Sequence, residues 1–307
     1  SFFIKLLGFY KFIFGFFSVS VLLSRLRPEV AVGFGGYPSL PTMLAAKLLG
    51  TPTTIHEQNA VLGRVNRLLS KRVNSIALSY SETLLVPHKA IKKCHFTGNP
   101  IRSLIRRNES KYEAIKLNEE IKIVIFGGSQ GSSIFSRVLP KGICKLSESF
   151  RKRLKVVQQC RAEDVHEVKK IYNEFSINYE ISEFFDDLGY HLSSSHLVIA
   201  RSGASSVAEI AALGRPSILI PYAKAKDDHQ YLNACLLKNA GAAWVVSEED
   251  FKSEKIVELL NQLFSSPKLL RRAALSAFNL DNPAASKNLA DMIENLSAIS
   301  NLKENIK

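Results

Sequence analysis

Residues 201–221 read RSGASSVAEIAALGRPSILIP, a Gly-rich turn followed by one short helix and a strand. The apolar, β-prone run at 196–200 precedes them and predicts a strand covered on both faces. Ser202 or Ser205 is expected to cap the helix, whose free N–H groups favour an anionic ligand. Glu209 lies about one turn into the helix, where a carboxylate can accept hydrogen bonds from two sugar hydroxyls. An ordinary βαβ unit with a solvated glutamate is the alternative.

Two more clusters of glycine and polar residues follow strands of the same predicted sheet. The strand at 121–126 runs into GGSQG (127–131), and DDHQ (227–230) follows the strand at 217–221. In doubly wound sheets such strand ends share one edge, where ligands bind. Glycines let the backbone approach a phosphate, and a helix N-terminus favours its charge. Because the spacing fits neither a Rossmann dinucleotide loop nor a Walker loop, the pattern favours a nucleotide-diphosphate ligand over a nicotinamide cofactor.

Seven motifs, in order along the chain, resemble those of the MurG family of bacterial peptidoglycan glycosyltransferases. They read GFGGYPS (33–39), HEQN (56–59), GNPIR (98–102), GGSQG (127–131), EFFDD (183–187), RSGASSVAE (201–209) and DHQ (228–230). The resemblance implies an α/β protein of GT-B fold, with two Rossmann-like domains whose parallel sheets face a cleft. It also implies inverting transfer of N-acetylglucosamine (GlcNAc) from UDP-GlcNAc to the MurNAc 4-hydroxyl of undecaprenyl-pyrophosphoryl-MurNAc-pentapeptide (lipid I), without cofactor or metal.

The resemblance assigns substrate-binding roles to residues of these motifs. Glu209 would hold the ribose hydroxyls, Phe185 the uracil edge through its backbone, and Gln230 the sugar hydroxyls. Asn59 would reach the acetamide or the sugar from the opposite domain, and Arg102 would lie at the domain junction near the nucleotide. Ser129 and its Gly-rich loop would receive the diphosphate, together with the N–H groups near Ala204 and Ser205. The predicted substrate-binding set also includes Ser206, Val207 and Ala208. Ordinary structural roles are the alternatives, such as a core ring for Phe185, a helix cap for Asn59 and a surface side chain for Arg102.

A general base for the acceptor hydroxyl is expected from His56 or Glu57, at the carboxyl end of a strand. The family's leading candidate is a histidine in an N-terminal Gly-Gly-Thr-Gly-Gly-His loop, and this sequence contains no such loop. The first domain is therefore expected to be incomplete at its N-terminus. Two alternatives follow: a shortened protein that binds a UDP-sugar and transfers nothing, and a GT-B transferase with another lipid acceptor.

The positive charge of the chain is confined to one predicted domain. Residues 1–118, the predicted acceptor- and membrane-binding domain, carry 17 Lys and Arg against 5 Asp and Glu, a net of +12. Residues 119–307 carry 24 against 23, a net of +1. They comprise the predicted UDP-GlcNAc-binding domain (119–283) and a helix, about 284–307, that returns to the first domain. The basic domain suits an anionic membrane surface, a pyrophosphate lipid or nucleic acid.

The first 27 residues favour the membrane among these partners. A narrow stripe at helical spacing is formed by Ser1, Lys5, Gly8, Lys11, Gly15 and Ser18, and apolar side chains cover the rest. The longest uncharged run, 12–24, is too short to span a bilayer and suits the membrane interface. A buried helix and a signal-peptide remnant are the alternatives. The four widely spaced cysteines are typical of a reducing compartment. The resemblance implies a peripheral protein on the cytoplasmic face of the bacterial inner membrane, with no nucleic-acid partner.

Overall fold

The computed structural model describes residues 2–128 and 132–304, of which 2–7, 9 and 300–304 are described by their backbone alone. The chain divides into two compact units. Unit 1 comprises Ser1–Pro100 and Asn282–Lys307, and unit 2 comprises Ile101–Asp281. Each unit is built around one parallel sheet, so the predicted α/β class is confirmed.

The described residues form ten strands and thirteen α-helices, with two short 3₁₀ helices at His88–Lys93 and Lys226–Asp228. The strands are β1 (Ala31–Gly33), β2 (Thr53–Glu57), β3 (Ser75–Leu78), β4 (Cys94–Phe96), β5 (Ile121–Phe126), β6 (Leu154–Gln159), β7 (Asn178–Ser182), β8 (Leu197–Ala200), β9 (Ser217–Leu219) and β10 (Ala243–Val245). The helices are α1 (Phe2–Leu26), α2 (Ser39–Leu48), α3 (Arg64–Ser70), α4 (Ser103–Arg107), α5 (Ser133–Ile143), α6 (Glu148–Arg151), α7 (Ala162–Glu174), α8 (Leu188–Ser193), α9 (Ala204–Ala212), α10 (His229–Asn239), α11 (Ser253–Phe264), α12 (Pro267–Phe278) and α13 (Ala285–Glu304).

The sheet of unit 1 has four parallel strands in the order β1-β2-β3-β4. Strands β2 and β3 are buried along their whole length, as is usual for parallel strands. Ile55 and Ile76 of these strands form one apolar core with Met43 of α2 and Leu69 of α3. His56 and Glu57 end β2, so two buried polar side chains lie at the carboxyl edge of this sheet.

The sheet of unit 2 has six parallel strands in the order β10-β9-β8-β5-β6-β7. The chain begins at β5, moves outward to β7, and then returns to β8 on the other side of β5, as in a doubly wound fold. Ile121, Ile123 and Ile125 of β5 pack in one core cluster, and Val124 and Phe126 pack in another. Since successive side chains of a strand point to opposite faces, this sheet is covered on both.

The units divide at a different place from the predicted boundary. Residues 101–118, assigned by sequence to the first domain, belong to unit 2. The buried Arg215 donates to the C=O of Ser110 (2.5 Å), and the hydroxyl of Tyr112 donates to the C=O of His196 (3.1 Å). These contacts hold the segment against unit 2, and a polar run in a sequence does not reveal them.

Helix α1 leaves a row of large apolar side chains in solvent. Tyr10, Phe14, Phe17 and Val21 recur at helical spacing and are 52–66% exposed. Among the described residues, no helix has the length and apolarity needed to cross a membrane. The exposed row therefore forms an apolar face along one helix of unit 1.

The small and polar stripe predicted for this helix is only partly accounted for. Lys11 and Ser18 are exposed, whereas Gly15 is half-buried near Pro41 of α2. Two further members lie outside the described side chains: Ser1 and Lys5. Absence of a side chain at Gly15 allows α1 to approach α2 closely, so at least one member of the stripe has a packing role.

Candidate active site

The strand order of unit 2 reverses between β5 and β8, and a loop follows the carboxyl end of each. In doubly wound sheets the crevice at this point is the usual ligand site. After β5, Gly128 has φ +82°, and no described atom lies within 4 Å of the position that a Cβ would take. The backbone there is open to a ligand. Ser129, predicted to contact the diphosphate, lies outside the described residues.

The loop after β8 leads into α9, which begins differently from the prediction. Its N-cap is Gly203 in an extended conformation, with no side-chain capping bond, so the predicted caps Ser202 and Ser205 are wrong. Ser202 is fully buried before the cap, and Ser205 already lies within the helix. The N–H groups of a first helical turn have no acceptor within the helix and attract anions.

Only part of the predicted substrate-binding run 204–208 occupies that first turn. Ala204, Ser205 and Ser206 begin the helix, and Ser206 is buried. Val207 donates its N–H to the C=O of Gly203 (3.0 Å), and its side chain packs in the core. The half-buried Ala208 follows it along the helix. An anion at this terminus would therefore be bound through backbone of the first turn that precedes Val207.

Glu209 of α9 is paired with Arg102 of the segment that precedes α4. Arg102 Nε lies 2.8 Å from Glu209 Oε1, and Nη2 lies 3.0 Å from Oε2, which is a bidentate geometry. The hydrogen bonds to Glu209 hold the pKa of Arg102 above its usual value, with support from the negative charge of the same carboxylate. The Glu209 side chain is 5% exposed and that of Arg102 is 55% exposed. A buried carboxylate thus has a partner that remains open to solvent.

Gln159, at the end of β6, links two predicted segments of the site and was not identified from the sequence. Its side chain is buried; Oε1 accepts a hydrogen bond from the N–H of Gly127 (3.1 Å), and Nε2 donates to the C=O of Glu183 (3.1 Å). It therefore joins the glycine loop after β5 to the chain that follows β7. The available signal was a pair of glutamines, Gln158 and Gln159, at the end of a largely apolar strand.

Phe185 lies in this second segment. Its half-buried ring packs against the core and makes an edge-to-face contact with the ring of His191, at 5.0 Å between centroids. Its backbone N–H and C=O have no hydrogen-bond partner among residues 2–128 and 132–304. The side chain therefore has the alternative role of a core aromatic, while the backbone stays available to a ligand.

Gln230 lies in the first turn of α10 with its amide held by backbone. Oε1 accepts a hydrogen bond from the N–H of Tyr222 (3.0 Å), and because only the oxygen can accept, this contact sets the orientation of the amide. Nδ1 of His229 donates to the C=O of Lys226 (2.8 Å). Asp228, between them, has φ +53°, a left-handed conformation that aspartate tolerates.

In unit 1, His56 is fully engaged at the end of β2. Nε2 donates to the C=O of Gly98 (3.1 Å), and Nδ1 of the neutral ring accepts from Nε2 of Gln58 (2.9 Å). Burial lowers the pKa of His56 below its usual 6.5, against smaller opposing effects of the Gly98 bond and the Glu57 charge. The ring is therefore neutral near pH 7, with a partner at each nitrogen.

The adjacent Glu57 carboxylate is buried and accepts four hydrogen bonds. Oε1 accepts from the N–H and Nδ2 of Asn59 (3.1 and 3.0 Å), and Oε2 accepts from the N–H of Gly63 and Nδ2 of Asn66 (both 2.8 Å). A general base needs an open acceptor within reach of the proton that it removes. These contacts argue against His56 and Glu57 as the base and indicate that Glu57 holds Asn59.

Within the part of the chain that the structure describes, no three His, Cys, Asp or Glu side chains are grouped so that they could hold a metal ion. The adjacent acidic pairs of the sequence, Asp186-Asp187 and Asp227-Asp228, thus lie outside any such group.

Known proteins match the chain along most of its length. The model of the glycosyltransferase family 28 C-terminal domain matches residues 122–295, and that of the N-terminal domain matches residues 2–78. A UDP-N-acetylglucosamine–N-acetylmuramyl-(pentapeptide) pyrophosphoryl-undecaprenol N-acetylglucosamine transferase of Paramagnetospirillum magneticum is 42% identical, over 92% of this chain and 76% of its own. The transferase of the same name from Caulobacter vibrioides is 44% identical, over 91% and 77%. The crystal structure of Acinetobacter baumannii MurG superposes with a TM-score of 0.77 and 28% identity, covering 93% of this chain and 80% of that one.

Proposed function

The chain belongs to the MurG family within glycosyltransferase family 28, and on that basis we propose that it transfers GlcNAc from UDP-GlcNAc to lipid I. The product would be the disaccharide-linked lipid of peptidoglycan synthesis. One observation carries the proposal: two transferases named for this reaction are 42% and 44% identical to the chain over about nine-tenths of its length. The doubly wound sheet of unit 2, with open loops where the strand order reverses, supports a nucleotide-sugar site there.

In this proposal the donor binds along the carboxyl edge of that sheet. Glu209 accepts hydrogen bonds from the two ribose hydroxyls, and Phe185 offers its backbone to the uracil edge. Ser129 and the first turn of α9 receive the diphosphate. Gln159 keeps the glycine loop and the Phe185 segment at a constant distance, because its one amide bonds both. Gln230 binds sugar hydroxyls.

Donor binding would replace one partner of Glu209 by another. The Arg102 side chain is 55% exposed, so water or another anion can take up its guanidinium when ribose replaces it at Glu209. The released guanidinium carries a fork of donors suited to a phosphate. We therefore assign Arg102 to the diphosphate in the occupied site.

The acceptor hydroxyl would attack the anomeric carbon and lose its proton to a general base, while UDP departs from the opposite face, which inverts the configuration. The leaving diphosphate gains negative charge, and the first-turn N–H groups of α9 stabilise it. In unit 1, Glu57 and His56 serve as positioning residues, since Glu57 fixes Asn59 through two hydrogen bonds and His56 ties β2 to Gly98. Asn59 then contacts the sugar.

The apolar face of α1 supports a membrane partner for unit 1. Tyr10, Phe14, Phe17 and Val21 would enter the headgroup region of an anionic membrane, and the net charge of +9 over residues 1–100 would add electrostatic attraction. The protein would then work as a peripheral enzyme at the cytoplasmic face of the bacterial inner membrane, where lipid I is anchored.

A transfer assay with two donors tests the proposal. The purified chain is incubated with lipid I in anionic vesicles and with UDP-GlcNAc carrying a label in the sugar, and the label in the lipid fraction is counted. UDP-N-acetylgalactosamine is the matched donor, because it differs only at the sugar 4-hydroxyl. Label transferred from UDP-GlcNAc alone supports the proposal, whereas UDP-GlcNAc binding without transfer would reduce the function to that of a sugar-nucleotide-binding protein.

A further inference from the structure

Arg201, which directly follows β8, is nearly buried, and its guanidinium contacts the chain that follows β9. Its Nη1 donates to the C=O of Ile220 (3.1 Å) and of Pro221 (3.2 Å), where the chain leaves β9. Its guanidinium lies over the rings of Phe135 and Tyr222, at 5.4 and 5.5 Å from their centroids. The Arg201 side chain thus holds the backbone at the beginning of the loop that follows β9.

Glu248, in the chain that follows β10, bonds both Arg201 and the same loop. One carboxylate oxygen bonds Nη2 of Arg201, and the other accepts a hydrogen bond from the N–H of Ala223 (3.1 Å). The Arg201 side chain is 10% exposed and that of Glu248 is 21% exposed, so the pair is poorly screened by water. The ion pair therefore bonds the backbone of residues 220–223 at both ends, through Arg201 at the first end and Glu248 at the second.

The same short segment holds Gln230. The N–H of Tyr222, between the residues that Arg201 and Glu248 bond, donates to Gln230 Oε1 (3.0 Å). With its oxygen so engaged, the amide presents its Nε2 donors to a ligand, and such donors suit hydroxyl oxygens. Movement of Tyr222 would move or release that amide.

We propose that Arg201 and Glu248 are positioning residues for recognition of the donor sugar, acting through the 220–223 segment on Gln230. The proposal rests on the proposed function, in which Gln230 binds the GlcNAc hydroxyls. Its specific content is that the ion pair governs affinity for the sugar part of the donor and leaves affinity for the UDP part unchanged. A purely structural ion pair would instead affect both ligands through the stability of unit 2.

Glu248→Gln is the variant of choice, because glutamine keeps the size of the side chain and removes one of its two acceptors. The dissociation constants of UDP-GlcNAc and of UDP are measured by calorimetry, with the melting temperature beside them. We expect about tenfold weaker binding of UDP-GlcNAc, the effect of one lost hydrogen bond, and unchanged binding of UDP. Glu254→Gln is the control, since Glu254 forms an exposed ion pair with Lys145 (2.6 Å).

A double variant tests whether Glu248 acts on UDP-GlcNAc binding through Gln230. In Gln230→Ala, adding Glu248→Gln should weaken UDP-GlcNAc binding no further, because the amide that it positions is absent. Arg201→Lys serves as an independent variant if Glu248→Gln does not fold, since lysine lacks the fork that bonds two carbonyls and a carboxylate together.

The outcomes separate this inference from the proposed function. Equal weakening of UDP and UDP-GlcNAc, or full additivity with Gln230→Ala, overturns the positioning role and leaves the proposed function standing. A parent chain that binds neither ligand overturns the proposed function and this inference with it.

Discussion

In unit 1 the polar residues at the end of β2 bond one another, whereas in unit 2 those around the ends of β5 and β8 keep exchangeable partners. Glu57 has four protein donors, and its side chain is buried. Glu209 is equally buried, but its one bidentate partner, Arg102, is half in water. Both carboxylates lie beside the carboxyl edge of a parallel sheet.

The difference shows that a carboxylate near a strand end is not a ligand-binding group by position alone. A carboxylate whose acceptors are all used by backbone and amide donors is part of the scaffold, because displacing those donors leaves buried groups unpaired. A carboxylate paired with a solvent-exposed arginine can exchange that partner for a ligand, because water or another anion can take up the guanidinium. The units differ in surface as well, since unit 1 alone carries the exposed row of α1.

The largest expected effect concerns membrane binding through the exposed apolar face of α1, which distinguishes unit 1 from unit 2. Replacing Tyr10, Phe14 and Phe17 together by Ser should weaken binding to anionic vesicles by about 4 kcal/mol, roughly a thousandfold, because three rings no longer leave water. Vesicle flotation measures it. High salt should weaken binding of the parent only in part, since apolar burial is not screened.

The matched control replaces three exposed leucines of unit 2 by Ser: Leu104, Leu117 and Leu275. It removes a similar number of large apolar side chains and should leave flotation unchanged. If the triple variant of α1 floats as well as its parent, the assignment of a membrane face to unit 1 is refuted.

The next effect concerns the exchangeable carboxylate. Glu209→Ala should weaken UDP-GlcNAc binding by about 2–3 kcal/mol, or roughly 30- to 150-fold, since two hydrogen bonds from ribose to a charged group are lost. Stability should change little, because the pair with Arg102 is half-exposed. Calorimetry and thermal melting measure the two quantities, with Glu254→Ala as control. An unchanged affinity in a folded variant would show that Glu209 does not bind the ribose hydroxyls.

The scaffold carboxylate should behave in the opposite way. Glu57→Gln places an amide Nε2 where the carboxylate accepted hydrogen bonds, so stability should fall by about 1.5–3 kcal/mol, with a lower melting temperature. If Glu57 were instead the general base, the variant would melt normally and transfer about 10²- to 10⁴-fold more slowly. Measuring both melting and turnover on one preparation distinguishes these results.

Local sequence pattern predicted much of the fold. The strand predicted at 121–126 is β5, and the one predicted at 196–200 is β8 from Leu197 onward, because runs of β-branched residues between turn signals suit parallel strands. The helix start was predicted less well. Serine is a common N-cap, yet the chain places Gly203 there, and sequence preference alone does not tell which of several adjacent residues takes that position.

The site contacts were less predictable, because they join residues distant in sequence. Arg102 and Glu209 were each identified by resemblance, but their pairing spans 107 positions and depends on how 101–118 folds onto unit 2. Gln159 and Glu248 belong to none of the seven motifs, and their importance lies in which backbone groups they bond. His56 and Glu57 look like free bases in a sequence, since hydrogen-bond saturation is a tertiary property.

The smallest expected effect is a pH dependence of folding stability that arises from His56 at the end of β2. Burial lowers the folded-state pKa of His56 below its usual 6.5, so below about pH 6.5 the unfolded chain binds the proton more readily than the folded one. Stability from this residue is therefore fully present above about pH 6.5 and is lost as the pH falls toward the folded-state pKa, by at most about 1.4 kcal/mol per pH unit. Urea unfolding of unit 1 at a series of pH values measures the slope. His56→Gln should flatten it. A slope that stays the same in His56→Gln would mean that this ring is not held neutral by burial, and His56 would return as a candidate for the general base.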